Sequence, residues 1–332
     1  MHIVEHIKLE CRSKGGKRGN NHMAKIVKIT TNFDAPYVMR QTPGWNGEWG
    51  DYKFILNQPV EECDYWVVFE GLREIEHTVC PATNTLFITG EPESVRPYSE
   101  VFLKQFNRVL TSQRNILHSN PIFSQQGFLW WVGTNYIPES NSYSPEYKHN
   151  YDELILDYTV KKTKLLSVIS SNKIFTNGHS QRLNFVTKLT SHFGEQIDFY
   201  GRYINSFSDK WDAIAPYKYH IAIENSCYED YWTEKIADCF LSLTYPIYCG
   251  CPNLDNYFKQ ESFTAINIEN HKEAIGIIED VINADYHTKN YDFLVEAKKM
   301  VLNKYNFFPM LVDMFNKDQV YSKKEKITLI PE

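Results

Sequence analysis

No run of apolar residues in this 332-residue chain approaches the ~18 needed to cross a bilayer, and no apolar core follows a basic start as in a secretion signal. The protein is therefore expected to be soluble and cytoplasmic, with peripheral contact to a membrane surface left open. Cysteine is sparse and unpaired. The seven residues (Cys11, Cys63, Cys80, Cys227, Cys239, Cys249 and Cys251) form no CxxC, and an odd, scattered set argues against a disulfide framework and for a reducing cytosol. Cys249-Gly250-Cys251 has no second pair or His pair at zinc spacing to complete a metal site. Basic blocks are missing too. With 35 Lys+Arg against 41 Asp+Glu the net charge is −6, which leaves no footprint for a nucleic-acid backbone. No G-x-G-x-x-G follows any candidate strand, which sets aside a dinucleotide oxidoreductase, and no 20–50-residue repeat is visible.

What is present is the composition of a folded protein. Aromatics make up 15% and charged residues 23% of the chain, and its length suits two domains at roughly 100–200 residues each. Residues 1–22, with Lys14, Lys17 and Arg18 amid glycine and asparagine, read as a flexible leader, and His22-Met23 resembles a cloning junction. From Met23 short β-rich runs alternate with amphipathic stretches. Strands are predicted at Lys25–Thr30, Tyr65–Phe69, Thr85–Thr89, Leu165–Ser170, Ile197–Tyr200, Tyr219–Ile223, Tyr245–Cys249 and Phe263–Ile266. Helices are predicted at Ser180–His192, Thr233–Leu243 and Lys272–Asn283, where apolar residues recur at i, i+3 and i+4. The segment Asn135–Tyr151, rich in Asn, Ser, Pro and Tyr, reads as a loop or linker and places the domain boundary near residue 155. The expected architecture is α/β, with domains at 23–155 and 156–332 facing a cleft. Ligand is expected at the carboxyl ends of the strands.

The segment ENSCYEDYWTEK, Glu224–Lys235, falls between the strand ending at Ile223 and a helix capped by Thr233. A helix start offers unpaired N–H groups and a positive dipole end that suit a diphosphate, and Lys235 adds a full charge there. Glu234 is a natural acceptor for ribose hydroxyls. Taken alone, the pattern also describes a capped, solvated helix start, which is the commoner case.

The longer stretch YKYHIAIENSCYEDYWTEKIADCFLSLTYPIYCG (Tyr217–Gly250) resembles the donor-binding signature of the α1,3/4-fucosyltransferases, glycosyltransferase family 10. The resemblance continues through PNLDNYFKQESFTAINIENHKEAIGIIEDV and covers about 150 C-terminal residues. It implies a GT-B fold, two Rossmann-like domains facing a central cleft, with the C-terminal domain binding GDP-fucose and the last helices free to pack back on the N-terminal domain. Carried over by position, Asn225, Tyr231, Glu234 and Lys235 would contact the nucleotide sugar. Ser170-Ser171-Asn172 followed by Gln181-Arg182-Leu183-Asn184-Phe185 resembles the family's segment whose arginine binds the diphosphate, which adds Asn172 and Arg182 to the donor site. Phe87-Ile88-Thr89-Gly90-Glu91 is similar to a bacterial stretch whose glutamate is the proposed general base, although Pro92 replaces the following asparagine.

The resemblance thus implies an inverting fucosyltransferase, with Glu91 as the base and a glycan acceptor held by the N-terminal domain. Pro43–Gly50 and Gly127–Trp131 offer aromatic faces for that acceptor, although tryptophans there are more often core. Metal-dependent GT-A enzymes hold Mn²⁺ on D-x-D; none occurs here, and the cationic residues lead to the expectation of no cofactor and no obligatory metal. Without the anchor and disulfides of eukaryotic members, the chain resembles soluble bacterial ones that build a lipopolysaccharide or capsule glycan. Another nucleotide-sugar donor on the same fold, or a binding protein without turnover, remains open.

Overall fold

The computed structural model describes residues 23–127, 129–137, 142–144, 146–156, 160–170, 177–201, 205–317 and 322–332, with the side chains of 177–180 excepted. The expected leader and Asn172 lie outside the described residues.

The N-terminal domain is built on β1 (Lys25–Thr31), β2 (Glu48–Trp49), β3 (Tyr52–Leu56), β4 (Tyr65–Phe69), β6 (Thr85–Ile88), β7 (Arg108–Thr111) and β8 (Pro121–Phe123), with β5 (Glu76–Pro81) set apart from this sheet. The seven strands lie in the order β2-β3-β1-β4-β6-β7-β8, all parallel except β2 against β3. All five residues of β4, YWVVF, are buried, as a central parallel strand covered on both faces requires. Tyr65, Val67 and Phe69 face one core, whereas Trp66 and Val68 face another with Phe87 and Phe102.

After the hairpin β9 (Tyr136–Ile137)/β10 (Ser142–Tyr143), the C-terminal sheet comprises β11 (Lys164–Ile169), β12 (Ile197–Tyr200), β13 (Tyr217–Ile223), β14 (Tyr245–Cys249) and β15 (Thr264–Ala265). Their order, β12-β11-β13-β14-β15, is parallel throughout. The helices are α1 (Glu100–Leu103), α2 (Tyr151–Leu156), α3 (Asn177–Phe193), α4 (Lys210–Ile214), α5 (Glu234–Leu241), α6 (His271–Asn283), α7 (Tyr286–Lys289), α8 (Tyr291–Met300) and α9 (Phe307–Lys317). In each sheet the order in which strands are added reverses at one point, between β1 and β4 and between β11 and β13. Such switch points open a crevice at the strands' carboxyl ends.

The crossovers differ from the boundary read near residue 155. Trp130, Val132 and Leu154, on either side of the stretch predicted as a linker, already pack in the C-terminal core, and Arg40 ties this segment to the N-terminal domain. That buried guanidinium donates to the carbonyls of Trp130 and Val132 at 2.7 Å, His149 at 2.9 Å and Lys148 at 3.2 Å. The chain returns after residue 306. Phe307, Phe308, Met310, Leu311 and Phe315 of α9 complete the N-terminal core, with Phe315 stacked on Tyr65 at 3.9 Å between ring centroids. Finally β16 (Lys324–Leu329) pairs antiparallel with β5.

Candidate active site

A cavity of ≈ 360 Å³ lies between the two sheets, lined by Glu70, Gly90 and Glu91 from the N-terminal domain and by Asn225, Tyr231, Thr233, Glu234 and Lys235 from the C-terminal one. Phe33, Tyr37, Phe69, Leu129 and Trp131 form its apolar wall. The loops touch across it where Ser94 Oγ meets Ser226 Oγ at 3.0 Å. A larger cavity of ≈ 570 Å³ on the N-terminal domain shares none of these residues, and its buried Lys28 is already paired with Glu76 at 2.6 Å.

Thr233 caps α5 as the sequence predicts, its hydroxyl accepting from the Lys235 N–H at 3.4 Å. Glu224, at the end of β13, holds that cap. It accepts from the Thr233 N–H at 2.9 Å and hydroxyl at 2.7 Å, and its Oε2 lies 3.2 Å from Lys235 Nζ. Lys235 also lies 3.5 Å from Glu234, which faces Lys210 at 3.8 Å. Burial opposes the charge on Lys235, but Glu234 and Glu224 outweigh it and raise the ammonium above its ordinary range. Burial likewise pushes Glu234 up, but Lys235 and Lys210 hold it below an ordinary glutamate. Lys235 and Glu234 thus stay ionised together at the helix start.

Arg182 of α3, 5% exposed, donates to Asn225 Oδ1 at 3.1 Å, which brings it from the β11 side of the switch point to the β13 side. Burial lowers its guanidinium and Glu224 raises it. Tyr231 is buried, and desolvation with Glu224 and Glu91 beside it keeps its hydroxyl protonated. Glu91 sits beyond β6 and Gly90. Its carboxyl is raised by burial, lowered by Lys235, raised by Glu234 and Glu224, and lowered by the Tyr231 hydroxyl. Its buried Oε2 has no hydrogen-bond partner among the described residues.

The cleft therefore gathers Glu91, Asn225, Tyr231, Glu234 and Lys235, with Arg182 joined through Asn225, while Asn172 lies outside the described residues. Of the aromatics considered for acceptor binding, Trp131 lines the cleft, Trp130 is fully buried core and Trp49 packs on Tyr151. Phe128 lies outside the described residues. Sequence reasoning missed Glu224, Lys210 and Glu70.

Two parallel-sheet domains with a cleft between the carboxyl ends of their strands define the GT-B class of glycosyltransferases. Residues 159–305, somewhat less than half of the chain, match the model of glycosyltransferase family 10 (fucosyltransferase), C-terminal part. Similar proteins include the alpha-(1,3)-fucosyltransferase FucT of Helicobacter pylori, 37% identical over 71 residues covering 21% of this chain and 15% of that one. Another is human 4-galactosyl-N-acetylglucosaminide 3-alpha-L-fucosyltransferase 9, 27% identical over 135 residues covering 39% of this chain and 36% of that one. The match thus spans well under half of either relative's length. A solved alpha1,3-fucosyltransferase with GDP has the same fold, with a TM-score of 0.50 at 19% identity over 91% of this chain and 93% of that one.

Proposed function

We propose that the protein transfers fucose from GDP-fucose to a hydroxyl of a glycan acceptor with inversion. The observation that supports this most is the placement of Glu91. Its carboxylate, with one oxygen unpartnered, comes from one sheet and faces Lys235 and Tyr231 from the other. The acceptor oxygen attacks the anomeric carbon and passes its proton to Glu91. The bond from that carbon to the β-phosphate oxygen breaks, and its electron pair leaves on GDP through an oxocarbenium-like state. Lys235, Arg182 and the N–H groups at the start of α5 stabilise the departing diphosphate. Removing one such donor costs about 3–4 kcal/mol at the transition state. Glu234 takes the ribose, and Asn172, Asn225 and Tyr231 complete the donor site.

These fixed cations do the electrostatic work of a divalent ion, so no metal is required, and a chelator is expected to leave the rate unchanged. The acceptor is a glycan of the kind named for the human relative, a 4-galactosyl-N-acetylglucosaminide. The cysteines, free where described, suit a cytosolic enzyme. No helix among the described residues is long and apolar enough to cross a membrane.

GDP should raise the melting temperature, and Lys235→Ala should abolish that shift and lower turnover about 10²–10³-fold. Glu91→Gln should lose turnover while keeping GDP affinity. A protein that only binds has no turnover for Glu91→Gln to remove, and consumption of a different nucleotide sugar would keep the fold and change the donor.

A further inference from the structure

Glu70 follows the last residue of β4, on the N-terminal side of the cleft. Three features set it apart. Its backbone has φ 62°, a left-handed conformation that costs a glutamate energy and persists where the surroundings impose it. Its carboxylate lies directly over Gly90, so closely that a Cβ there would collide with Oε1. Finally, its charge is poorly matched. Arg96 Nη1 stands 3.9 Å away, beyond hydrogen-bond reach, and among the described residues nothing donates a hydrogen bond to the side chain. With the Asn32 amide turned so that its oxygen faces the guanidinium, that oxygen accepts from Arg96 Nη1 at 2.8 Å. The Glu70 side chain keeps 19% of its surface accessible, and that surface lines the cleft.

The strained backbone therefore holds an undersatisfied carboxyl beside the carboxylate already assigned as base. Phe69 and Ile88 are register partners on neighbouring parallel strands, and Glu70 and Glu91 follow them by one and three residues, so both carboxyls line the cleft from adjacent strand ends. One pyranose ring can present donors to both.

Resting on the fucosyl-transfer reading, we propose that Glu70 reads the acceptor: its carboxyl accepts a hydrogen bond from the donor group next to the hydroxyl that Glu91 deprotonates. The acceptor then carries a hydroxyl or amide N–H on the carbon beside the attacked one. The bond turns the ring so that a single oxygen points at Glu91, which fixes the linkage position. Burial and the neighbouring Glu91 push the Glu70 carboxyl up to about 7, with Arg96 opposing, so an arriving donor group relieves a real electrostatic mismatch.

The test uses the full chain with GDP-fucose and two acceptors, N-acetyllactosamine and its analogue lacking the nitrogen substituent at C2 of the glucosamine ring. Glu70→Gly suits the backbone conformation, so it should fold and melt above the wild type. Its KM for N-acetyllactosamine should rise about ten- to a hundredfold with GDP affinity unchanged, the loss expected for a hydrogen bond to a charged group. Glu70→Gln, which still accepts through its carbonyl, should lie between the two. The wild type should prefer N-acetyllactosamine to the analogue, and Glu70→Gly should not. An unchanged KM, or equal losses on both acceptors, overturns the role of Glu70 alone. Absence of transfer by the wild-type protein overturns the fucosyl-transfer reading itself.

Discussion

Lys235 Nζ stands 3.2 Å from Glu224 Oε2, so the cation at the head of α5 is held by a fully buried carboxylate before any ligand arrives. A diphosphate must share Lys235 with that partner. In Glu224→Gln the partner is lost and Lys235 is left undercompensated. Breaking a buried pair costs about 3–5 kcal/mol, so the unliganded variant should melt well below the wild type. GDP then supplies the missing charge, and the GDP-induced rise in melting temperature should exceed that of the wild type. A smaller rise would mean that Lys235 does not meet the diphosphate.

Glu91 must be ionised to accept a proton, and burial raises its carboxyl. The acid limb of kcat/KM should therefore sit above the ordinary glutamate range, with activity falling as pH drops through it. Glu70, raised to about 7 beside it, adds a second negative charge above that pH. Because ionised Glu91 is part of what raises Glu70, Glu91 loses its proton first, and Glu70→Gln should leave the acid limb in place. A limb that moved to lower pH would mean that Glu70 is already charged when Glu91 titrates.

Gly90 leaves the space that the Glu70 carboxylate fills. Gly90→Ala should drive that side chain from its place, lowering both melting temperature and transfer. Adding Glu70→Ala should restore the melting temperature without restoring acceptor KM. A double-mutant cycle in stability with no coupling would refute the contact.

Lys162 is held by three uncharged acceptors, the carbonyls of Ala215 and Ser242 at 2.8 Å each and the Thr244 hydroxyl at 2.7 Å. Burial lowers its ammonium from 10.5 to about 7, with Cys239 opposing. Between those values the unfolded chain binds the proton and the folded one releases it, so stability rises with pH from about 7 toward 10.5. Lys162→Met should flatten the slope of chemical-denaturation free energy over that window. An unchanged slope would assign the dependence elsewhere.

The second half of the fold was legible because its strands are short apolar runs punctuated by amphipathic helices. Ile197–Tyr200 and Tyr245–Cys249 fall on the residues predicted, and Thr233 is the cap predicted for α5. β3 and β7 escaped because YKFIL and RVLT are short and carry charges. α9, FFPMLVDMFNK, escaped although its apolar residues face one core and Asp313, Asn316 and Lys317 are exposed, because Pro309 reads as a helix breaker. Within the cleft, residues carried by the family signature could be named from sequence. Glu70 and Lys210 could not, because only the pairing of distant strands and helices brings them beside Glu91 and Glu234.

The helix Phe307–Lys317 inserts into the first sheet's core although it is encoded after the whole second sheet. During synthesis the stretch up to residue 305 can close its own sheet while still near the ribosome. The opening sheet must wait, with Tyr65, Phe69 and Phe54 uncovered, until the final helix emerges. The domain made first is thus completed last, and Phe308 and Phe315 act as its closing stones: a chain cut short before them would keep its second sheet and lose the half that carries Glu91.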